Sequence, residues 1–363
     1  MGRKKTKKQK SANIVIWILA VAHMIVFMAL VVSGFSHLCH PVHFPALVSA
    51  SLAFGPLLLT YCGFCLLWLL VKRTFLLGSL VGLCICAVPI RTYTPINFFS
   101  RPSDGAIKVM SYNVNNFCSM DSVKFKSILE YIKESKADLL CIQESDTYLK
   151  KDVEQALSSW PYKDSTLFYT NTLSFHSKFP ILDKCIVPGP DAAHGAVIYR
   201  IRNDEDTLVV INSHFVSNTM GSDDKTMFKN IIKEPRNGAM KYSIKHLSHK
   251  VDSAGILRAQ QADELMSYLE KLRDYPVILC GDFNDSPMSY VHGQLTQILN
   301  DSYTRGGTGP GVSYHEAGMF FRIDHILCSS HWNVRKSQVD NSIKSSDHYP
   351  IVSWLELKKQ KSL

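Results

Sequence analysis

The chain has 363 residues, 46% of them hydrophobic, with 40 Lys and Arg against 31 Asp and Glu and a formal net charge of +9. Nine of the basic residues and none of the acidic ones fall within residues 1–91, so beyond Arg91 acids and bases balance. The length allows one large domain plus a second unit, and the balance excludes a polyanion-binding charge spread over the whole of that domain, leaving room only for a local basic patch.

Residues 1–10, MGRKKTKKQK, form a basic tail. The apolar stretch over 12–32 is as long as a bilayer-crossing helix, which takes about 20 residues. A signal peptide would have a shorter apolar core, about 7–15 residues, and a small-residue cleavage site. Hydrophobicity resumes instead over 46–71 and 74–90, so the expectation is about three transmembrane helices within residues 1–91. The basic tail and Lys72-Arg73 should face the cytoplasm, and the Lys- and Arg-free loop from Ser33 to Pro45 the opposite side. Three crossings then put the rest of the chain on the extracytoplasmic side of an integral membrane protein. Cys62, Cys65, Cys84 and Cys86 sit in these apolar runs and read as small apolar residues, not as a redox or metal pair.

Residues 92–105, with Pro95, Pro102 and a Ser-Asp-Gly, read as a linker, 106–357 as the main domain and 358–363 as a tail. Ile107 to Tyr112 reads as a strand leading into Asn113. Asp121 to Ser135 reads as an amphipathic helix with Val123, Phe125, Ile128, Leu129 and Ile132 on its apolar face. Asp138 to Ile142 is a buried strand ending at Gln143-Glu144. A helix is expected near Lys150 to Ser158, with strands near Thr172 to His176 and Ile181 to Val187. Gly195 to Ile201 and Thr207 to Ile211 pair around the Asn203–Asp206 turn, the second ending at Asn212-Ser213-His214.

Ser217 to Ser253 is polar and mildly basic, and reads as a solvated loop with helical pieces in preference to a border of a site. Ala254 to Arg273 is a helix; Arg258 and Gln260 on it either reach the site or lie on the surface. Pro276 to Cys280 is a short apolar run that reads as a fully buried strand, stopping at Gly281 before Asp282, Asn284 and Asp285. Residues two apart at a strand end point the same way, which suits a hard cation or a phosphate-bound water; Asp, Asn and Gly equally favour a plain turn. Beyond it come a helix over Ser289 to Leu299, an irregular glycine-rich loop over Arg305 to Gly311, a strand within Phe320 to Cys328, and a last strand over Tyr349 to Leu355. Intermixed strands and helices without repeats indicate an α/β or α+β domain.

A carboxylate, amide or imidazole recurs wherever a buried strand ends: Asn113, Glu144, His214, Asp282 with Asn284, Asp324, and His348 beside Asp347. Six such ends in order argue for one convergent site. Oxygen donors predominate and no Cys or His grouping has zinc-like spacing, which points to Mg²⁺ or a similar hard ion.

The strings SYNVNNF, IQESD, NSHF, GDFNDSP, RIDHIL and SSDHYPI, in that order, resemble the motifs of the endonuclease/exonuclease/phosphatase superfamily, which includes deoxyribonuclease I-like and exonuclease III-like nucleases, inositol-polyphosphate 5-phosphatases and neutral sphingomyelinases. The resemblance covers roughly Ile107 to Leu355. It implies a four-layer α/β (α+β) sandwich of two packed mixed β-sheets flanked by helices, with a metal-dependent phosphoesterase site between the sheet ends. On that resemblance Glu144 is the principal metal ligand, helped by Asn113 and Asp347, for Mg²⁺ or alternatively Mn²⁺. His214 would donate to the phosphate, and Asp282 and Asn284 would orient the attacking water. His348, held by Asp324, would supply or take the proton; whether Asp282 or His348 deprotonates the water stays open. His176, His194 and His325 are left as structural.

The function expected is a membrane-anchored, divalent-metal-dependent phosphodiesterase, either nuclease-like or acting on phospholipid or sphingolipid headgroups, with the bilayer and a phosphodiester substrate as its partners and no protein partner evident. The alternative is a non-catalytic receptor or scaffold that retains the fold.

Overall fold

The computed structural model describes residues 7–98, 102, 105–234, 238 and 240–358. The first six residues of the expected basic tail, residues 359–363 of the expected C-terminal tail and part of the expected linker lie outside the described residues.

Five helices precede the sheets: α1 (Lys7–Gly34), α2 (Ala46–Leu52), α3 (Phe54–Val71), α4 (Arg73–Ile85) and α5 (Ala87–Tyr93). Two stretches, Asn13–Gly34 and Phe54–Val71, are long and apolar enough to cross a membrane, and α4 with α5 makes a third only as a pair bent by 64°. Prolines explain both interruptions. A proline ring clashes with the carbonyl four residues back and lacks the N–H that would bond it. Pro56 acts on Leu52, where α2 stops; Pro89 acts on Ile85, where α4 stops. The apolar run expected as one span over 46–71 is therefore two helices, of which only α3 has spanning length.

The main domain runs β1 (Ile107–Asn113), α6 (Ser122–Ser135), β2 (Leu139–Gln143), α7 (Lys150–Ala156), β3 (Tyr162–Phe168), β4 (Asn171–Ser177), β5 (Ile181–Pro188), β6 (Gly195–Asn203), β7 (Asp206–His214), α8 (Ser222–Lys233) and α9 (Met240–Lys271). It continues with β8 (Val277–Asp282), α10 (Tyr290–Leu295), β9 (Asn300–Asp301), α11 (Ser302–Gly306), β10 (Asp324–Cys328), β11 (Trp332–Val339) and β12 (Ile351–Leu357). The strands form two six-stranded mixed sheets, ordered β11-β12-β1-β2-β4-β3 and β5-β6-β7-β8-β10-β9. Among the described residues, only β1 with β2 and β7 with β8 pair in parallel.

The sheets pack face to face with helices outside, giving the expected four layers. In β8, Ile278 and Cys280 enter the core between the sheets, while Val277 and Leu279 enter the core under α9 and α10. In β2, Leu139 and Cys141 face inward and Leu140 and Ile142 face α6. Both faces are buried, so these strands read as unbroken apolar runs. Phe175 and Tyr199 stack across the sheets with ring centroids 4.5 Å apart. Asp121 caps α6, its carboxylate accepting from the Val123 and Lys124 amides at 3.0 and 3.1 Å. Phe125, Ile128, Leu129 and Ile132 are buried as expected, but Val123 is exposed.

Sequence reading missed β3, β9, β11 and α11. The helical pieces expected within Ser217 to Ser253 are α8 and the start of α9, which make up most of a segment read mainly as a solvated loop. The helix expected over Ser289 to Leu299 is only the short α10.

The N-terminal helices are fused to the loop that follows β8. Ser36 Oγ donates to the Met288 carbonyl at 2.7 Å, and Ser51 Oγ and Ser286 Oγ are 3.1 Å apart. Met288 is buried among Leu30, Phe54, Leu58, Tyr61 and Cys86. Alongside, the Ser49 amide donates to Asp252 on α9 at 3.0 Å, and α2 approaches α9 at Gly255, where an added Cβ would lie 2.4 Å from Val48 Cγ1.

Candidate active site

The six polar strand ends come together at one edge of the sandwich. Parallel pairing sets β1 beside β2 so that Asn113 meets Gln143, and β7 beside β8 so that His214 meets Asp282. Antiparallel pairing of β10 with β8 places Asp324 opposite Asp282. The Asn113 side-chain amide bridges the sheets, donating to Glu144 Oε1 at 2.9 Å and to Asp282 Oδ2 at 3.0 Å. Nearby, Gln143 donates to Asn212 Oδ1 at 2.7 Å, and Asn212 donates to the Ile142 and Ser174 carbonyls.

Among the residues with left-handed backbone are two of the cavity's own, Glu144 with φ 50° and Asn284 with φ 51°. Asn tolerates this conformation, but for Glu it is strained by roughly 1–3 kcal/mol. In this conformation the Glu144 carboxylate meets the Asn113 side chain. Asn284 is fixed from both sides: its amide N–H donates to Asp282 Oδ1 at 2.8 Å and its side chain to the Phe215 carbonyl at 3.1 Å.

His214 is buried, and neither ring nitrogen has a hydrogen-bond partner among the described residues. Its Nε2 lies 3.7 Å from both Glu144 Oε1 and Asp282 Oδ2. Desolvation, then the His194 and His348 charges, hold its pKa well below the usual imidazole value, so it is neutral. His348 is the opposite case. Burial alone would lower its pKa, but the charges of Asp324 and then Asp282 overcome that and hold it well above the ordinary value. Its Nδ1 lies 2.8 Å from Asp324 Oδ2, and its Nε2 is 3.7 Å from Asp282 Oδ2. Asp282 is raised to about 7, first by burial and then by the Asp324 charge.

Glu144, His214 and Asp282 place one donor atom each within 4.8 Å of one another, and Asp282, Asp324 and His348 do the same. Two carboxylates converging on an orphaned imidazole nitrogen are a donor set that fits a divalent cation. Asp347 lines the same cavity but is not in either group; its Oδ1 accepts from Asn115 Nδ2 at 3.2 Å.

Several supporting residues were left open or read only as structural. Arg258, expected either to reach the site or to lie on the surface, is fully buried. Its Nε donates to Asp285 at 3.2 Å and its Nη1 to the Val216 carbonyl and Asn218 at 3.0 and 2.8 Å, tying the loop after β7 to the loop after β8. His194 sets its ring edge against His214, centroids 4.8 Å apart, and bonds Asp191. His325 contacts the Asp285 carbonyl at 3.2 Å. Gln260 is exposed.

A cavity of about 160 Å³ opens over this floor. Besides Glu144, Asp282, Asn284, Asp347 and His348, it is lined by Ser217, Asn218, Met220 and Lys225 from the stretch around α8. That stretch borders the site after all.

Comparison with known proteins agrees with this architecture. The profile of the Endonuclease/Exonuclease/phosphatase family matches residues 110–348, and that of a domain of unknown function matches residues 16–93. Mouse Nocturnin is 26% identical over 234 residues, 59% of this chain and 52% of that protein. Human Nocturnin is 26% identical over 218 residues, 54% of this chain and 48% of that protein. The match thus spans about half the length of these curated relatives. Among solved structures, the human Nocturnin catalytic domain with bound sulfate superposes with a TM-score of 0.51 at 19% identity, covering 72% of this chain and 97% of that one. Truncated Caenorhabditis elegans TDP2 gives 0.50 at 12% identity, covering 69% and 98%. These two likenesses are ones of fold. With two thirds of its length matched by the family profile, the chain belongs to the endonuclease/exonuclease/phosphatase family.

Proposed function

We propose that this protein is a membrane-anchored, divalent-metal-dependent phosphodiesterase. The observation that carries the proposal is the meeting of Asn113, Glu144, His214, Asp282, Asp324 and His348 from six strand ends at one cavity.

Glu144 and Asp282, with His214 and Asn113 beside them, would hold the cation, Mg²⁺ by the hardness of the carboxylate donors; Asp347 sits at the margin. A cation held there would lend positive charge to a phosphate oxygen as charge develops in the transition state. The chain's own groups divide the remaining work. Neutral His214 would offer its Nε2 to that cation rather than a hydrogen bond to the phosphate. Asp282, raised to about 7 before a cation is bound, would be ionised beside one and would orient the attacking water. His348, kept protonated by Asp324, points Nε2 into the cavity, stabilises the phosphate and gives its proton to the leaving oxygen.

Membrane anchoring is supported by the two helices of spanning length. The catalytic domain packs at the Gly34 and Phe54 ends of α1 and α3, whereas Lys72-Arg73 lies at the far end of the 18-residue α3, roughly 27 Å away. If basic residues stay in the cytoplasm, the catalytic domain is extracytoplasmic. Residues 7–93 then form the membrane unit and 107–357 the catalytic unit.

Full-length protein in detergent, assayed on a bis-aryl phosphate with Mg²⁺, Mn²⁺ or chelator, tests the reading. Hydrolysis should require the metal and fall at least a hundredfold in Glu144→Gln and His348→Ala. Activity undiminished in both variants would overturn it and favour the scaffold alternative.

A further inference from the structure

The catalytic cavity has two faces of opposite chemistry. Its floor is the polar set described above. Its wall is Leu52, Met220, Met319, Phe321 and Ile323. Leu52 does not come from the catalytic domain. It is the last residue of α2, two positions before α3 begins at Phe54, and α3 is a helix long and apolar enough to cross a membrane.

Three features hold it there. Pro56 ends α2 at Leu52, Ser51 bonds Ser286 in the loop after β8, and Val48 seats on Gly255. The catalytic cavity is thus walled on one side by the membrane unit, at the level where the bilayer would begin. Outward from the wall the apolar surface continues in Phe320 and Ile232, which are 59% and 56% exposed; Ile232 lies against Gly318 in the loop before Phe320.

This lining suits some phosphodiesters and not others. A polynucleotide needs a basic track along several successive phosphates beside any aromatic platform; Tyr314 and Phe321 bring rings to the cavity, but the described lining holds no such track. Lys225, the one Lys or Arg among the lining residues, is tied to Glu316. A phosphodiester that continues as hydrocarbon on one side satisfies both faces, with its phosphate over the floor and its first methylenes against the wall.

We propose that Leu52 and Met220, with Met319 and Phe321, select phosphodiesters of membrane lipids, presented laterally by the bilayer that holds the enzyme. The proposal rests on the phosphodiesterase reading and narrows its substrate class.

The test uses the full chain in detergent with Mg²⁺ and a series of p-nitrophenyl alkyl phosphates, methyl to octyl, each below its micellar concentration. A single-stranded oligodeoxynucleotide and a phospholipid in mixed micelles complete the panel. kcat/KM should rise ~3-fold per methylene over the first few, mainly through KM, and then level off as the wall is filled. Leu52→Ser and, independently in a loop, Met220→Ser should flatten that dependence, and Leu52→Met should restore it. Equal kcat/KM for methyl and octyl esters, or faster cleavage of the oligonucleotide than of the octyl ester, would overturn the proposal while leaving the phosphodiesterase reading intact. Failure to hydrolyse even the methyl ester would overturn both.

Discussion

His348 Nδ1 lies 2.8 Å from Asp324 Oδ2, with both side chains buried. The pairing fixes which ring nitrogen faces the cavity and keeps the imidazole charged above its usual pKa. A group that must be protonated to act works below its pKa and fails as pH rises through it. The alkaline limb of kcat/KM should therefore lie above the ordinary histidine value, near 6.5. Asp324→Asn removes the largest raising cause, so the limb should move to lower pH and kcat should fall. A limb that stays in place would assign it to another group.

The site was legible in the sequence because its residues terminate strands whose two faces are both buried. Val277–Cys280 and Leu139–Ile142 stand out as apolar runs, and the first polar side chain after each is visible by contrast. Strands β3 and β11 were not legible, because they are the two edges of one sheet. Edge strands carry charged and polar residues, as in Tyr162–Phe168 and Trp332–Val339. The part of α9 before Ala254 was legible only as an unplaced helical piece because it buries only Ser243, Leu247 and Val251, too narrow a stripe to fix a helix's bounds. Arg258 was ambiguous because nothing local to a helix announces that its cation will be buried against Asp285.

Metal binding should be visible without catalysis. A cation at 100 times its Kd stabilises the folded state by about 2.7 kcal/mol, so Mg²⁺ or Mn²⁺ should raise the thermal midpoint of the detergent-solubilised protein. Glu144→Gln should abolish the rise. Asp282→Asn should abolish it too, yet raise the midpoint of the metal-free protein, because burial disfavours the Asp282 charge. An undiminished metal-induced rise in both variants would place the cation elsewhere.

Arg258 should prove structural and positional together. Arg258→Met leaves the Asp285 carboxylate buried without its cation, which costs roughly 3–5 kcal/mol and loosens the loop carrying Asp282 and Asn284. Denaturant unfolding should show that loss, and Arg258→Met with Asp285→Asn should recover part of it. No recovery would mean that packing, not charge, is what Arg258 supplies.

His176 gives a pH-dependent stability. Burial lowers its pKa to about 4 in the folded protein, against about 6.5 for a free imidazole. Between these values the unfolded chain binds a proton that the folded one does not. Stability is therefore lost as pH falls from 6.5 to 4, by up to about 3 kcal/mol. Replacing His176 by Phe keeps a ring beside Trp160 and should flatten the acid side of a plot of thermal midpoint against pH, relative to the unmodified protein. His214 and His325, shifted in the same direction, leave a residual slope in both.

The junction between the N-terminal helices and the two-sheet domain rests on a close approach that glycine alone permits. A Cβ at position 255 would sit 2.4 Å from Val48 Cγ1 and 2.6 Å from Cγ2, closer than packed atoms tolerate. Gly255→Ala must therefore push α2 away from α9, at a cost of about 1–3 kcal/mol. Because α2 carries Ser51 and Leu52, the displacement should also strain the Ser51–Ser286 contact and open the cavity wall. Shortening the opposing side chain makes room, so Val48→Ala combined with Gly255→Ala should be more stable than Gly255→Ala alone. The coupling energy from the four proteins should be favourable and at least about 0.5 kcal/mol, as for residues in direct contact. Thermal midpoints measure the stability arm, and the octyl-to-methyl ratio of kcat/KM measures the wall. A ratio that falls in Gly255→Ala and recovers in the double variant would tie the seating of α2 to the shape of the catalytic cavity. Additive effects in both readouts would instead show that the two units touch without holding each other in place.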